Sequence, residues 1–215
     1  MPLVTVPNLR AGIDAWLARP GWATDFSAPL YPILRAERDG GLTEDWWRNT
    51  VDHLAKWRAL RPQTKAEILA KGMQKLRPLQ AAYSRIAEAR RDDNREFGST
   101  TWRLLRELYE VAHDIKGSST PVFGSKLSHF LVPDLYPVID WDYTGVTYAS
   151  YEAYWRSCDE AWRICNCRED VVGELAAHIP SSSADDFPWA TKITELCVAG
   201  VRVLSRPGAA RPNPI

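Results

Sequence analysis

The chain has 215 residues, 45% of them hydrophobic and 25% charged, which is the makeup of a protein that buries a substantial core and excludes disorder over most of its length. No segment approaches the roughly 18 uninterrupted apolar residues of a membrane span, and the start MPLVTVPNLRAGIDAW has no long apolar run, so a cytoplasmic protein with no membrane partner is expected. Formal net charge is zero but unevenly spread: Lys56 to Arg106 holds thirteen Lys and Arg against five Asp and Glu, and Asp134 to Glu195 holds twelve acidic residues against four basic. Such segregation fits a basic face for phosphates, and equally two halves attracting each other.

The patterns along the chain are helical almost throughout. Asn8 is placed to cap LRAGIDAWLA, ended by Pro20 and Gly21, and Thr43 to start EDWWRNTVDHLAKWRAL, which stops at Pro62. Thr64 and Glu67 have capping-box spacing ahead of KAEILAKGMQKL, with Pro78 expected to end or kink that element before LQAAYSRIAEARR. In TWRLLRELYEVAHDI, Leu105, Leu108, Ala112 and Ile115 share one face, and Gly117 closes the helix. YEAYWRSCDEAWRIC places Tyr151, Tyr154, Trp155, Cys158, Trp162 and Cys165 at three- and four-residue steps, the signature of a buried stripe. DVVGELAAHI and PWATKITELCVAGVRVL follow, the latter with Pro188 at a favoured first helical position. Period-two alternation is limited to LVTV at residues 3–6, the one place where a strand is conceivable. The expected organisation is an N-terminal helical half over residues 1–98 with a basic face, a C-terminal half over 99–205, and an unpacked tail over 206–215, with the seam at DDNREFGST.

Chemistry-bearing motifs are few. Cys158, Cys165 and Cys167 cluster ahead of Cys197, with a first gap similar to that of the iron–sulfur loop of endonuclease III-type glycosylases, but the later spacing departs from it. A buried thiol on an apolar stripe acts as a small hydrophobe, so no metal and no cofactor are expected. The four histidines have no ligand spacing, and there is no G-x-S-x-G, P-loop, G-x-G-x-x-G or H-E-x-x-H. SSSADD at 181–186 reads most simply as a capping loop.

The stretch SSTPVFGSKLSHFLVPDLYPVIDWDY is different. Gly124 is expected to make a tight turn, SKLSHFL a short helix stopped by Pro133, and DLYPVID a crossing that ends near Asp140, bringing a lysine and a carboxylate to one cleft. Here the chain resembles the archaeal and bacterial 8-oxoguanine DNA glycosylases of the helix-hairpin-helix superfamily, through Gly124, Lys126, SHFL at 128–131 and Val138-Ile139-Asp140. PVFGS carries one glycine where the family hairpin has two. Aligning on SHFL brings Ser125 to the family's lysine position, whereas aligning on Lys126 shifts SHFL by one; relatives with serine there hydrolyse the bond without a Schiff base.

The resemblance implies an all-α fold of two helical halves with a cleft between them, and a monomeric glycosylase that flips a damaged or modified base out of double-stranded DNA. An oxidised purine is the implied base, and a hypermodified base of foreign or phage DNA a second possibility, which would make the role antiviral. Breaking an N-glycosidic bond develops positive charge on the sugar, which a carboxylate stabilises: Asp140, with Asp142 in reserve. Lys126 is the candidate amine nucleophile, Ser125 the alternative at its position, and Schiff-base formation would add lyase activity. Phe123, His129, Trp141 and Trp189 are candidates for holding the flipped base, and Gly124, Ser125, Lys71, Lys75 and Arg77 for the DNA backbone. Two other classes fit the same residues. One is a helical DNA- or partner-binding domain without catalysis, in which the basic segment acts alone. The other is a metal-dependent nuclease using the carboxylates of SSSADD with Asp140 and Asp142.

Overall fold

The structure, a computed structural model, describes residues 2–93, 96–144 and 148–205; the side chains of Asp92, Asp93, Trp141 and Asp142 also lie outside the description, as does the 206–215 tail. The described residues form ten α-helices and no strand: α1 Val6–Leu17, α2 Leu30–Asp39, α3 Glu44–Lys56, α4 Lys65–Asp93, α5 Trp102–Lys116, α6 Val122–Leu131, α7 Trp141–Thr144, α8 Tyr151–Arg163, α9 Arg168–Ala176 and α10 Trp189–Leu204. A 3₁₀ helix at Ser181–Asp186 precedes α10. None of these helices is long and apolar enough to cross a membrane.

Local chemistry explains most helix ends. Thr43 and Ser150 cap α3 and α8 by accepting from the amides of Trp46 and Ala153 at 3.1 Å each. At α4 the capping box closes in both directions, Glu67 N to Thr64 Oγ1 at 3.2 Å and Thr64 N to Glu67 Oε2 at 2.7 Å. Gly117 ends α5 at φ 60°, as its residue type requires.

Several expectations are corrected. Thr5, not Asn8, caps α1, because Thr5 Oγ1 accepts from the Asn8 amide while the Asn8 side chain bonds back to the Leu3 carbonyl at 2.7 Å. Pro78 does not end its helix; α4 runs through it and is 29 residues long in all. The LVTV segment is not a strand, since Val6 already begins α1. LYPILRAERD, passed over by the periodicity reading, is α2, and SSSADD is a turn of 3₁₀ helix, not a loop. Gly124 makes no turn. It lies inside α6, where an added Cβ would stand 2.9 Å from His113 Cβ and 3.0 Å from Tyr109 Cε2, so its hydrogen lets α6 press onto α5. The turn between those helices is at Gly117.

Two helices form the centre. Every residue of α6 from Phe123 to Leu131 is buried, and so is every residue of α10 from Thr191 to Gly200. Helix α6 packs on α5, α2 and α3, whereas α10 packs on α1, α7, α8 and α9. The α1–α10 contact is the most extensive between any two helices, and it is close enough to touch backbone to backbone. A Cβ on Gly200 would lie 1.8 Å from Asn8 O, and one on Gly12 would lie 2.0 Å from Leu196 O. Gly200→Ala should therefore force the two helices apart and lower stability by about 1–3 kcal/mol, read as a lower urea midpoint with an unchanged denaturant slope.

Candidate functional site

Between α6 and α7 the chain does something unusual for a helical protein: residues 132–139 run without regular structure through the interior. Buried carbonyls need partners, and here side chains supply them. Thr191 Oγ1 donates to Pro133 O at 2.7 Å, Trp155 Nε1 to Leu135 O at 2.8 Å, and His129 Nδ1 to Tyr136 O at 2.7 Å. The hydroxyls of Tyr151 and Tyr154 donate to Pro137 O at 2.7 Å and Val138 O at 2.8 Å. The Ile139 amide donates to Ser125 Oγ at 3.3 Å, which ties the end of the segment back to α6. Asp140 follows at once, its carbonyl accepting from Thr144 N at 2.7 Å and Thr144 Oγ1 at 2.8 Å to begin α7.

This path delivers the Asp140 carboxylate to α6. Lys126 Nζ donates to Asp140 Oδ2 at 3.1 Å and to the carbonyl of Trp57, at the end of α3, at 2.9 Å. The ammonium side chain is 7% exposed and the carboxylate 19%, so the pair is sheltered yet within reach of solvent on the Asp140 side. Ser125, one residue earlier on α6, is wholly buried, and its hydroxyl donates to Val122 O at 3.0 Å. Of the two residues offered for the nucleophile position, it is Lys126 that meets Asp140.

Behind this pair lies a second one that the sequence reading missed. Lys192 Nζ donates to Glu195 Oε2 at 3.0 Å, and the two side chains are 1% and 4% exposed, one turn apart on α10. Lys192 Nζ also stands 5.2 Å from the Trp16 ring centroid and 5.8 Å from that of Trp57, an electrostatically favourable place for a cation that has lost its water. Burial pushes the Glu195 carboxyl up, Lys192 opposes that shift, and the charges of Asp140 and Lys126 both bear on it. The two ion pairs thus form one cluster of two cations and two carboxylates. In the run WATKITELCVAGV, Lys192 and Glu195 share one side with Thr191 and Thr194, so their spacing matches that of a solvated surface pair.

His129 adjoins the cluster from α6. A carbonyl can only accept, so Nδ1 carries the proton to Tyr136 O and Nε2 accepts from the Tyr31 hydroxyl at 3.0 Å. Burial, and then the Lys192 charge, lower its pKa to about 3, which keeps the ring neutral at physiological pH.

The other predicted residues are dispersed. Phe123, Gly124, Ser125 and His129 are buried in α6, closed off from a flipped base or a phosphate as the structure stands. Trp189 is half-buried against Phe187, its indole donating to Ala184 O at 3.2 Å. The side chains of Trp141 and Asp142 lie outside the described residues. Lys71 and Arg77 are exposed on α4, whereas Lys75 is paired with Asp114. The aromatic groups that do surround the cluster are Trp57, whose ring is 5.9 Å from that of His129, and the set of Trp16, Trp22 and Tyr143, with Trp16 4.3 Å from Trp22 and 5.5 Å from Tyr143. Trp22 and Trp57 remain partly exposed.

Of the SSSADD carboxylates, Asp186 pairs with Arg35. Among the described residues no group of three or more His, Cys, Asp or Glu side chains converges as a metal site would need. Cys165 and Cys167 touch at 3.6 Å between their sulfurs, but Cys158 and Cys197 are buried, and all four thiols are free. No protein-family model, curated protein or solved structure matches the chain.

A buried ion pair loses much hydration, and removing one partner leaves the other uncompensated. Lys192→Met should lower stability by about 3–5 kcal/mol in urea unfolding, whereas the double change Lys192→Met with Glu195→Leu should recover most of that loss. A double variant no more stable than the single one would show that the pair itself holds the fold.

Proposed function

We propose that the chain is a DNA glycosylase in which Lys126 and Asp140 break the bond between a modified base and its sugar. The observation that carries this reading is the 3.1 Å contact between the Lys126 ammonium and the Asp140 carboxylate, in a sheltered place bordered by the partly exposed Trp57. Each part has a task in N-glycosidic cleavage. Transfer of a proton from the ammonium to Asp140 frees the lysine lone pair, which attacks C1′ as the bond from C1′ to the base nitrogen breaks. Asp140 passes that proton to the departing base, and one proton of the substituted amine moves to the ring oxygen as the sugar opens, leaving a Schiff base between Lys126 and C1′. Once it has given that proton up, the Asp140 carboxylate faces the positively charged Schiff base.

The surroundings suit that chemistry. Trp57 receives the lysine through its carbonyl and borders His129 and Lys192 through its ring, so it replaces the buried Phe123 and His129 as the aromatic neighbour of a flipped base. The Lys192–Glu195 pair lies beneath, giving a fixed, water-poor field around the reacting carboxylate. Oxidised purines are the substrate class that the sequence resemblance favours, with hypermodified bases of foreign DNA as the other class to test.

The test is base release from duplexes that each carry one oxidised, alkylated, deaminated or hypermodified base, with alkali used to reveal abasic sites. Release from at least one of them is expected, unaffected by chelator, with Asp140→Asn about 10²–10⁴-fold slower. No release from any duplex, or an Asp140→Asn variant as active as the parent, would refute the assignment.

A further inference from the structure

The loop that follows α3 is held from inside by two lysines. Lys126 donates to Trp57 O at 2.9 Å, and Lys116, itself buried, donates to Ala59 O at 2.8 Å and Arg61 O at 2.6 Å. Gln63 Nε2 returns a bond to Lys116 O at 3.0 Å. Ala59 and Leu60 are buried, so the loop turns its carbonyls and apolar side chains inward and leaves Arg58 and Arg61 exposed.

Arg58 occupies a position that its residue type does not favour. The amide of Arg58 bonds to Ala55 O and that of Ala59 to Leu54 O, both at 2.9 Å, which is the paired bonding of a helix closed by a left-handed residue. Glycine normally fills that position, and Arg58 fills it at φ 55°. Of the three non-glycine residues at positive φ among the described residues, Phe26, Ser27 and Arg58, it is the one with a charged side chain, and strain of this kind is a pointer to work done by the side chain.

The guanidinium has no internal task. Eight of the described arginines meet a carboxylate, Arg10, Arg35, Arg48, Arg85, Arg90, Arg106, Arg156 and Arg163. Among the described residues the side chains of Arg58 and Arg61 have no hydrogen-bond or ion-pair partner. Their position matters as much. The Arg58 amide is one peptide bond from the carbonyl that Lys126 contacts, so it lies within about 5 Å of the Lys126 ammonium.

We infer that Arg58 and Arg61 form a phosphate clamp that grips the nucleic-acid backbone beside the Lys126–Asp140 pair. The ligand class is the phosphodiester of duplex DNA, bound by charge-assisted hydrogen bonds from planar guanidiniums. The inner lysines fix the loop's path, and the outer arginines fix where the sugar of the reacting nucleotide sits relative to Lys126. The inference rests on the glycosylase reading for its choice of DNA, and it replaces Lys75, which is engaged with Asp114, among the backbone-binding residues.

The two ideas separate in a binding experiment that requires no chemistry. Affinity of the full chain for an unmodified duplex is measured between 50 and 200 mM salt for the parent, Arg58→Gly, Arg61→Gln and the double variant. Arg58→Gly is expected to melt higher than the parent, because the left-handed strain is relieved, and yet to bind DNA more weakly. Each single change should reduce the slope of log affinity against log salt by about one, and the double change by about two. Unchanged slopes in folded variants would overturn the clamp, as would a parent chain that does not bind duplex at 50 mM salt. Base release at the parent's kcat/KM by the double variant would overturn it while leaving the glycosylase reading intact. Reduced slopes in a protein that releases no base would do the reverse.

Discussion

The constraint on which this structure turns is a stretch of irregular backbone buried among helices. Residues 133–139 have no ladder or helix to pair their carbonyls, and five of those carbonyls are answered by side chains from α6, α8 and α10. An unpaired buried carbonyl costs about 1–3 kcal/mol. Losing the set would rival the about 5–15 kcal/mol net stability of an ordinary domain. The aromatic richness of α8 follows from this: Tyr151, Tyr154 and Trp155 fill the core with their rings and spend their polar ends on the segment. The segment in turn fixes Asp140. Its position is set by six hydrogen bonds upstream and by the start of α7 downstream, so the carboxylate is presented to Lys126 by rigid scaffold.

The second theme is charge kept where hydrophobic residues would suit the fold better. The two central helices, α6 and α10, each carry a lysine in their buried run, and each lysine is matched by a carboxylate. Buried ion pairs are weak contributors to stability compared with apolar replacements of the same size. Strained arginine at a glycine position has the same character. Local departures of this kind concentrate where a protein acts, and here the Lys126–Asp140 pair and Arg58 adjoin one another at the end of α3, the middle of α6 and the start of α7.

Much of this was legible in the sequence and some was not, for physical reasons. Amphipathic periodicity found most of the helices, because α3, α5 and α8 each bury one stripe, and the caps at Thr43 and Thr64 are local chemistry. Pro78 left an end or a kink open, and the helix does not end there because a helix tolerates one proline when tertiary packing supports it. Gly124 misled because a glycine permits two things, a turn and a close approach, and only the fold distinguishes them. The spacing of Lys126 and Asp140 suggested one cleft, but fourteen residues of sequence do not specify a path; the tyrosines that define it lie on α8. Lys192 and Glu195 passed unnoticed because an i, i+3 pair of opposite charge reads as a solvated surface pair until the helix is known to be buried on all sides. Arg58 could not be seen at all, since its interest lies in a backbone angle.

The central claim is that the Lys126 amine attacks the sugar. It is tested most directly by borohydride reduction of the protein in the presence of the duplex from which it releases a base, followed by peptide mapping of the covalent protein–DNA adduct. The account predicts one adduct, on the peptide containing Lys126, absent from a Lys126→Gln variant that still folds. Base release without any trapped adduct, or an adduct mapped to another amine, would contradict it.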